Sequence, residues 1–268
     1  MVERAPSFGG SIPEYYDQIL GAAHFDSYGR DLAERLPRTP GGDVLELACG
    51  TGIVTQHLRA KLDPSRRLVA TDISDAMLAF ARTKVGGSID WRIADACALP
   101  FADETFGALV CAFGVMFFPD KKAAFSEARR VLRQGGTMLF NVWDGLDANP
   151  HARIVAEFLE SLFPGDPAMR FGYLPYQFND EGVIKQLLSE AGFGDLRFER
   201  VRRNCECPSA AAWATGQVRG TPRGILLQER DMSLDEVIKR LATAGASLGG
   251  VEPFRYSTQA LVVEARAT

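Results

Sequence analysis

Between residues 44 and 143, short apolar runs alternate with longer segments in which apolar side chains recur every three or four positions. The short runs are almost continuously apolar, which is typical of parallel strands that are covered on both faces. The longer segments have the period of amphipathic helices. This alternation predicts βαβ units and a doubly wound α/β sheet. The predicted strands are DVLELA (43–48), RLVATD (67–72), IDWRIAD (89–95), GALVCAF (107–113) and GGTMLFNVW (135–143).

Two helices in this part of the chain have recognisable start and stop signals. The first has Ser74 or Asp75 as its N-cap and ends at Gly86–Gly87. The second begins at Asp120 and is expected to close at Gly135–Gly136. Short oxygen-bearing side chains at helix starts and glycine at helix ends satisfy the backbone groups that a helix leaves unpaired.

After Trp143 the alternation weakens, but two helices and two strands are still predicted. One helix is followed by a strand from about Leu196. Ser233 and Glu236 form a capping box at the start of another helix, and residues 256–266 make the final strand. The inward-facing positions of the first of these helices are Val183, Ile184, Leu187 and Leu188.

Composition and charge narrow the range of partners. The net charge is −4 and no run of Lys or Arg occurs, which argues against nucleic acid or an anionic membrane and favours a small-molecule partner. No signal peptide and no apolar stretch near the ~20 residues of a membrane span is visible, and a cytoplasmic location is expected. The expected assembly is a monomer or homodimer. Cys205 and Cys207 have no nearby histidine to complete a metal site, so no metal is expected.

The stretch VLELACGTG (44–52) combines a strand with a turn that carries Gly50 and Gly52. Such turns at the carboxyl edge of a doubly wound sheet bind nucleotides, and glycine lets a ligand lie against the backbone. Tight turns also need glycine for purely structural reasons. Asp72 ends the second strand, where its carboxylate can accept both hydroxyl protons of a ribose.

The next strand end adds a second acid. Asp95 can accept the exocyclic amine of an adenine, with Ile73 and Ala96 on either side of the ring. Either acid alone could equally cap a helix, but a glycine turn and two acids at three successive strand ends together favour a nucleoside site. Thr55 stands where a dinucleotide fingerprint has its third glycine, and no P-loop is present. The pattern predicts a site that binds an adenosine group without phosphates.

The same segments resemble the successive motifs of the class I S-adenosylmethionine-dependent methyltransferases. The matching stretches are VLELACGTGIVT, VATDISDAML, IADACALPFADETFGALVCAFGVMFFPD and EARRVLRQGGTMLFNVWD, in family order over roughly residues 40–145. LLSEAGFGDLRFE is similar to the family's last helix and strand. The resemblance implies a Rossmann-like seven-stranded sheet with an antiparallel last strand, helical lid insertions, and S-adenosylmethionine as cofactor.

This fold divides the chain into a core and covering segments, the latter expected to set substrate choice. The expected parts are an N-terminal helical cap (1–39), the cofactor-binding core (40–145), a lid insertion (146–178), a core helix and strand (179–206), a lid insertion with a helix (207–256) and the last core strand (257–268).

The resemblance also implies roles for individual residues. The turn would lie under the methionine part of the cofactor, with Glu46 supporting its amino group directly or through water. Asp72 would hold the ribose hydroxyls and Asp95 the adenine amine, while Ala112 and Phe113 would flank the sulfonium. The full set of implied cofactor-binding residues is Tyr16, Phe25, Glu46, Ala48, Cys49, Gly50, Gly52, Asp72, Ile73, Met77, Asp95, Ala96, Ala112 and Phe113.

The chain departs from the family pattern at one position of the turn. Ala48 stands where the family has its first glycine. A methyl group is tolerated there if the residue keeps a negative φ, so cofactor binding is expected to be retained. In the N-terminal segment, Tyr16 and Phe25 are expected to close over the cofactor. On spacing alone, Tyr15 is as good a candidate as Tyr16. The alternative, that these rings only pack the helix against the protein, is equally consistent with the sequence.

The implied activity is methyl transfer to a small apolar or aromatic acceptor, with oxygen ahead of carbon or nitrogen as the accepting atom. His24, His151 and Tyr173 are weak candidates for a general base; His57, Tyr176, Arg170 and Asp144 are no stronger. Aromatic residues could wall an apolar cavity, although most of those in the lid are expected to form a small core. They are Phe158, Phe163, Phe171, Tyr173, Tyr176 and Phe178, together with Met116, Phe117 and Trp143 at the sheet edge.

Two other classes of function remain open on these residues. A protein that binds S-adenosylmethionine or S-adenosylhomocysteine without turnover is one, because no base is unambiguous. An NAD-dependent oxidoreductase on a similar sheet is the other, and the missing third glycine argues against it.

Overall fold

A computed structural model describes residues 10–37 and 42–268. Its sheet has the strand order β3-β2-β1-β4-β5-β7-β6. Strand β7 pairs antiparallel with β5 on one side and with β6 on the other, while the pairs among β1 to β5 are parallel. The predicted doubly wound α/β sheet with an antiparallel last strand is confirmed. The strands are β1 (Asp43–Leu47), β2 (Leu68–Asp72), β3 (Asp90–Ile93), β4 (Phe106–Ala112), β5 (Leu132–Trp143), β6 (Phe193–Cys207) and β7 (Phe254–Ala267).

Helices cover both the sheet and the edge at which β1 to β4 end. An N-terminal helix runs without a break from α1 through a π-helical segment, Tyr16–Phe25, into α2. The α-helices are α1 (Ile12–Tyr15), α2 (Asp26–Arg35), α3 (Ile53–Lys61), α4 (Asp75–Lys84), α5 (Lys121–Val131), α6 (Pro150–Leu162), α7 (Glu181–Glu190), α8 (Ala210–Arg219), α9 (Arg223–Gln228) and α10 (Leu234–Gly249). Short 3₁₀ turns lie at Val115–Phe117, Leu146–Ala148, Pro167–Gly172 and Leu174–Tyr176.

The predicted caps are present. The Ser74 hydroxyl, and not Asp75, accepts the hydrogen bond that opens α4. Asp120 accepts the Ala123 N–H at 2.9 Å to open α5. The Ser233 hydroxyl accepts the Glu236 N–H at the start of α10. Each bond satisfies one of the N–H groups that a helix start leaves unpaired.

Three predicted positions differ from the structure. Helix α5 ends at Val131 instead of closing at Gly135–Gly136, because Leu132 already pairs with Phe106 of β4. Val183 is 48% exposed, since the buried stripe of α7 runs through Ile184 and Leu188. Strand β6 begins at Phe193, three residues before the predicted start, because β7 is long enough to pair with it there.

A second hydrophobic core lies away from the first four strands, between α6, α8, α10 and the paired ends of β6 and β7. Trp213 is fully buried there, with its ring centroid 4.8 Å from that of Phe254. Phe158 and Phe163 pack against this core, as do the buried thiols of Cys205 and Cys207. Of the predicted lid aromatics, Phe158 and Phe163 thus belong to the lid's own core, whereas Tyr176 and Phe178 pack against the main core, contrary to the expectation for most of them. The side chain of Phe171 is outside the described part.

In the part of the chain that the structure describes, no helix combines the length and apolar character needed to cross a membrane.

Candidate functional site

A cavity of about 1010 Å³, partly open to solvent, lies at the carboxyl ends of β1, β2, β3 and β4. We call it the strand-end cavity. Parallel strands bring their carboxyl ends to one edge, so residues far apart in sequence meet there. Of the residues predicted for the cofactor, those that line it are Tyr16, Ala48, Gly50, Asp72, Ile73, Met77, Asp95, Ala96, Ala112 and Phe113. Glu46, Cys49, Gly52 and Phe25 do not line this cavity.

The Asp72 carboxylate ties the glycine turn to the end of β2. Its Oδ2 accepts the Gly50 N–H and its Oδ1 accepts the Ser74 N–H, each at 2.8 Å. Burial raises the pKa of this carboxyl, against these backbone hydrogen bonds. Asp72 is thus a structural acceptor at the turn as well as a wall of the strand-end cavity. Asp95 accepts the Cys97 N–H at 2.8 Å in the same manner.

The two glycines of the turn have different surroundings. Both have positive φ, +55° at Gly50 and +79° at Gly52. A Cβ on Gly50 meets no protein atom within 4 Å, so this backbone is open towards the strand-end cavity. A Cβ on Gly52 would lie 2.7 Å from Val85 Cγ2 and 3.2 Å from Ala81 Cβ. Gly50 leaves room for a ligand, whereas Gly52 allows close packing of the turn on α4.

Ala48 does not have the negative φ that was the condition for tolerating its methyl group. Its φ is +52°, a left-handed conformation that costs an L-residue roughly 1–2 kcal/mol. Gly114 makes room for the methyl, since a Cβ at Gly114 would lie 2.6 Å from Ala48 Cβ. Phe113, beside it, is also left-handed at +52°, and its N–H donates to the buried Asn141 side chain at 2.9 Å. Two residues with left-handed backbone, Ala48 and Phe113, therefore line the same cavity.

Replacing Ala48 with glycine should relieve this strain. We expect Ala48→Gly to raise the free energy of unfolding by about 1 kcal/mol, since glycine adopts a positive φ without penalty. Ala112→Gly is the matched control, because Ala112 is an extended residue of β4 on the same cavity and should lose stability instead. Urea unfolding of both variants measures the difference. A loss of stability in Ala48→Gly would show that the left-handed conformation is not a source of strain.

Glu46 lies beneath the turn, within β1, and is 1% exposed. Burial raises the pKa of its carboxyl to about 8. Its Oε2 has no hydrogen-bond partner among the residues described. A buried carboxyl oxygen without a partner is costly unless a cation or donor meets it. The unpartnered Oε2 of Glu46, the open face of Gly50 and the two acids at strand ends fit a ligand that carries an adenosyl group and an ammonium group.

A second cavity of about 620 Å³, also partly open to solvent, adjoins the first. We call it the aromatic cavity. Phe113 stacks on Trp143 with centroids 4.0 Å apart, and Trp143 stacks on Tyr176 at 6.1 Å. Tyr16 stacks on Phe25 at 5.0 Å across the π-helical segment. The residues that line both cavities are Tyr16, Phe113 and Phe117.

The polar side chains of the aromatic cavity come from the N-terminal helix and from the segment around α8 and α9. They include His24, Gln217 and Arg223. Helix α8 approaches the π-helical segment closely at its glycine: a Cβ on Gly216 would lie 2.6 Å from Ile19 Cγ2. This close packing places Gln217 beside the cavity wall formed by Tyr16. Arg223 was not predicted as a site residue from the sequence. The available signal was a single arginine directly before the apolar stretch GILL.

The candidate bases take different places. His24 lines the aromatic cavity and is buried, which lowers its pKa to about 3. His151 is buried beside it with centroids 5.2 Å apart, and burial lowers its pKa as well. Tyr173 lines neither cavity and donates to Glu160 in the lid at 2.7 Å. His57 contacts Asp26 and Asp144 contacts Gln259, both away from the two cavities.

Comparisons with known proteins agree with this architecture. A family model described as a methyltransferase domain matches residues 45–140. The chain is 30% identical over 195 residues to the ubiquinone/menaquinone biosynthesis C-methyltransferase UbiE of Geobacter sulfurreducens, covering 68% of this chain and 76% of that protein. It is 31% identical over 217 residues to a demethylmenaquinone methyltransferase of Bacteroides fragilis, covering 74% of this chain and 88% of the relative.

Solved structures share the fold. A methyltransferase structure from Bacillus halodurans superposes with a TM-score of 0.58 at 17% identity, over 90% of this chain and 99% of that one. The phosphoethanolamine N-methyltransferase 2 of Haemonchus contortus, in complex with S-adenosyl-L-methionine, gives 0.59 at 15% identity, over 96% of this chain and 56% of that one.

The fold, the site and the relatives together define a class: the chain belongs to the class I S-adenosylmethionine-dependent methyltransferases. Its activity is methyl transfer and its cofactor is S-adenosylmethionine, as the sequence predicted.

Proposed function

We propose that this methyltransferase methylates a small planar phenol or quinol, bound in the aromatic cavity while the cofactor occupies the strand-end cavity. The observation that carries the proposal is the shared wall of Tyr16, Phe113 and Phe117, which makes the two cavities neighbours. The names of the relatives support the acceptor class, since both refer to quinones. The rings around Trp143 are suited to stacking on a flat acceptor.

In this proposal each polar group of the strand-end cavity has a role towards the cofactor. Asp72 accepts from the ribose hydroxyls with the lone pairs that Gly50 and Ser74 leave free. Asp95 accepts from the adenine amine, with Ile73 and Met77 along the ring. Glu46 stabilises the ammonium group from beneath the turn.

The role of Glu46 predicts a pH dependence. Near pH 7 most molecules should carry a protonated Glu46, because its pKa is about 8. An arriving ammonium group favours the ionised form, so S-adenosylhomocysteine should release roughly 0.5–1 proton on binding. Affinity should accordingly rise as the pH increases from about 6 to about 8.

Calorimetry in two buffers of different ionisation enthalpy measures the released proton, with Glu46→Gln as the isosteric control. The variant should bind more weakly and release no proton. Equal proton release by the two proteins would mean that Glu46 does not meet the ammonium group.

Carbon is the accepting atom that the polar groups support, in place of the oxygen expected from the sequence. A neutral hydroxyl nucleophile needs a base, and burial makes His24 a weak base with a pKa of about 3. A phenol that enters ionised needs no base and shares its electron pair between the oxygen and the ring carbon next to it, so carbon can accept the methyl when the oxygen is held in hydrogen bonds. The names of both quinone-related relatives are compatible with this, and one specifies a C-methyltransferase.

S-adenosylmethionine supplies a methyl group on a positively charged sulfur, which keeps the electron pair of the broken bond. The ring carbon uses its own pair for the new bond and afterwards gives its proton to solvent. The protein's contribution is positioning and exclusion of water, which can account for several kcal/mol of barrier reduction. The covering segments 1–39, 146–178 and 207–256 provide the acceptor's surroundings in this proposal; residues 1–9 and 38–41 lie outside the described part.

The direct test is incubation with S-adenosylmethionine that carries a deuterated methyl group and a panel of phenols, quinols and their methyl ethers. Labelled product from an ionisable ring, with the label on carbon by NMR, is expected. Label on oxygen would contradict the carbon assignment. Binding of the cofactor with no labelled product from any acceptor would favour a protein that binds without turnover.

A further inference from the structure

Arg223 is a buried cation that contacts no carboxylate among the residues that the structure describes. It is 7% exposed at the wall of the aromatic cavity. Its Nη1 donates to the Gln217 side-chain oxygen at 3.1 Å, while Nε has no hydrogen-bond partner among residues 10–37 and 42–268. No ion pair involves it within the same part of the chain, although most of the other buried or half-buried arginines there contact an acid.

The described titratable groups around Arg223 provide no compensating charge. Burial keeps His24 and His151 neutral by lowering their pKa values. It keeps Tyr176 protonated by raising its pKa to about 12. Tyr256, which contacts both histidines, has its pKa raised by burial as well. Burying an unpaired guanidinium is costly, so such a group in a ligand cavity points to a partner that arrives from outside.

We infer that Arg223 recognises an oxyanion on the ring of the acceptor, with His24 as a second donor, so that ionised phenols and related acidic hydroxyl compounds are the preferred acceptors. This inference rests on the proposed function, whose acceptor class it narrows. The guanidinium has a planar set of N–H donors, and Nε together with a terminal nitrogen can hold one oxygen or two. The unpaired Nε2 of His24 can donate to the same oxygen.

Holding the oxygen also explains the choice of accepting atom. An oxygen bound to Arg223 keeps its lone pairs in those hydrogen bonds, while the adjacent ring carbon stays free to face the shared wall at Phe113. Arg223 is a substrate-recognition residue in this account, and no proton transfer through it is required.

The test uses 4-nitrophenol, whose ionised form is coloured, and 4-nitroanisole, which has the same shape without an ionisable hydroxyl. Both are titrated into the protein saturated with S-adenosylhomocysteine. The wild type should bind the ionised dye about 10- to 100-fold more tightly than the ether, as hydrogen bonds to a charged group predict. In Arg223→Met this preference should fall to within about threefold, with the affinity for the ether unchanged.

Two controls separate recognition from structure. Arg223→Lys keeps the charge and should retain part of the preference. Arg219→Met removes the nearby guanidinium that pairs with the exposed Asp235, outside both cavities, and should leave the preference unchanged. Arg223→Met should melt at the same or a higher temperature, because it removes a buried unpaired charge; a lower melting temperature together with unchanged dye binding would show a structural arginine and overturn the inference.

The inference and the proposed function can fail separately. If the wild type does not prefer the ionised dye, or Arg223→Met keeps that preference, the oxyanion site is refuted even when labelled methyl reaches a neutral acceptor. If the preference depends on Arg223 but no acceptor is methylated, the oxyanion site stands and the proposed reaction fails.

Discussion

Gly50→Val is expected to abolish detectable binding of S-adenosylhomocysteine, with a loss of at least about 100-fold, while the fold is kept. The added Cβ points into open space in the strand-end cavity, so the branched side chain would overlap the ligand instead of the protein. The left-handed φ of +55° adds backbone strain of roughly 1–2 kcal/mol, which a domain of this size tolerates. Calorimetry measures the affinity, and circular dichroism measures the fold.

The neighbouring glycine provides the matched control. Gly52→Ala places a methyl 2.7 Å from Val85 Cγ2, so we expect it to reduce stability more than Gly50→Ala does. Where it remains folded, its affinity for S-adenosylhomocysteine should change much less than that of Gly50→Val. If Gly50→Val binds the ligand as well as the wild type, the turn does not contact the cofactor.

Asp72→Asn is expected to weaken S-adenosylhomocysteine binding by about 1.5–3 kcal/mol, or 10- to 150-fold. The amide replaces two charged acceptors with one neutral acceptor, and that one must still serve the Gly50 and Ser74 N–H groups. Asp180→Asn is the control, because Asp180 caps α7 through the Val183 N–H and lies outside both cavities. It should leave the affinity unchanged.

A cycle with a modified ligand tests the specific contact. An analogue of S-adenosylhomocysteine without the ribose 2′-hydroxyl should bind the wild type more weakly, but should bind Asp72→Asn almost as well as the complete ligand does. If removing the 2′-hydroxyl weakens binding to Asp72→Asn as much as it weakens binding to the wild type, Asp72 only supports the turn and does not hold the ribose.

The parts of the fold that could be predicted depend on local signals. Strand positions in the first half follow from continuous apolar runs. The caps at Ser74 and Asp120 and the capping box at Ser233 follow from side chains that contact backbone within three residues. The end of α5 could not be predicted, because pairing of Leu132 with a strand 26 residues earlier decided it.

The cavities depend on contacts between distant segments, which a single sequence does not contain. Tyr173 and Tyr176 are equivalent candidates in the sequence. In the structure, the Tyr173 hydroxyl donates to Glu160, whereas the Tyr176 ring stacks on Trp143. The left-handed conformation of Ala48 could not be predicted, because the space for its methyl group depends on the distant residue Gly114. Arg223 becomes significant only once its burial beside Gln217 and His24 is known.

A crystal structure of the complex with S-adenosylhomocysteine tests the pairing of the two cavities most directly. We expect the ribose hydroxyls within hydrogen-bond distance of Asp72, the adenine between Ile73 and Asp95, and the sulfur directed at the wall shared through Tyr16, Phe113 and Phe117. A nucleoside bound elsewhere, or a sulfur directed away from the aromatic cavity, would contradict the arrangement on which methyl transfer depends.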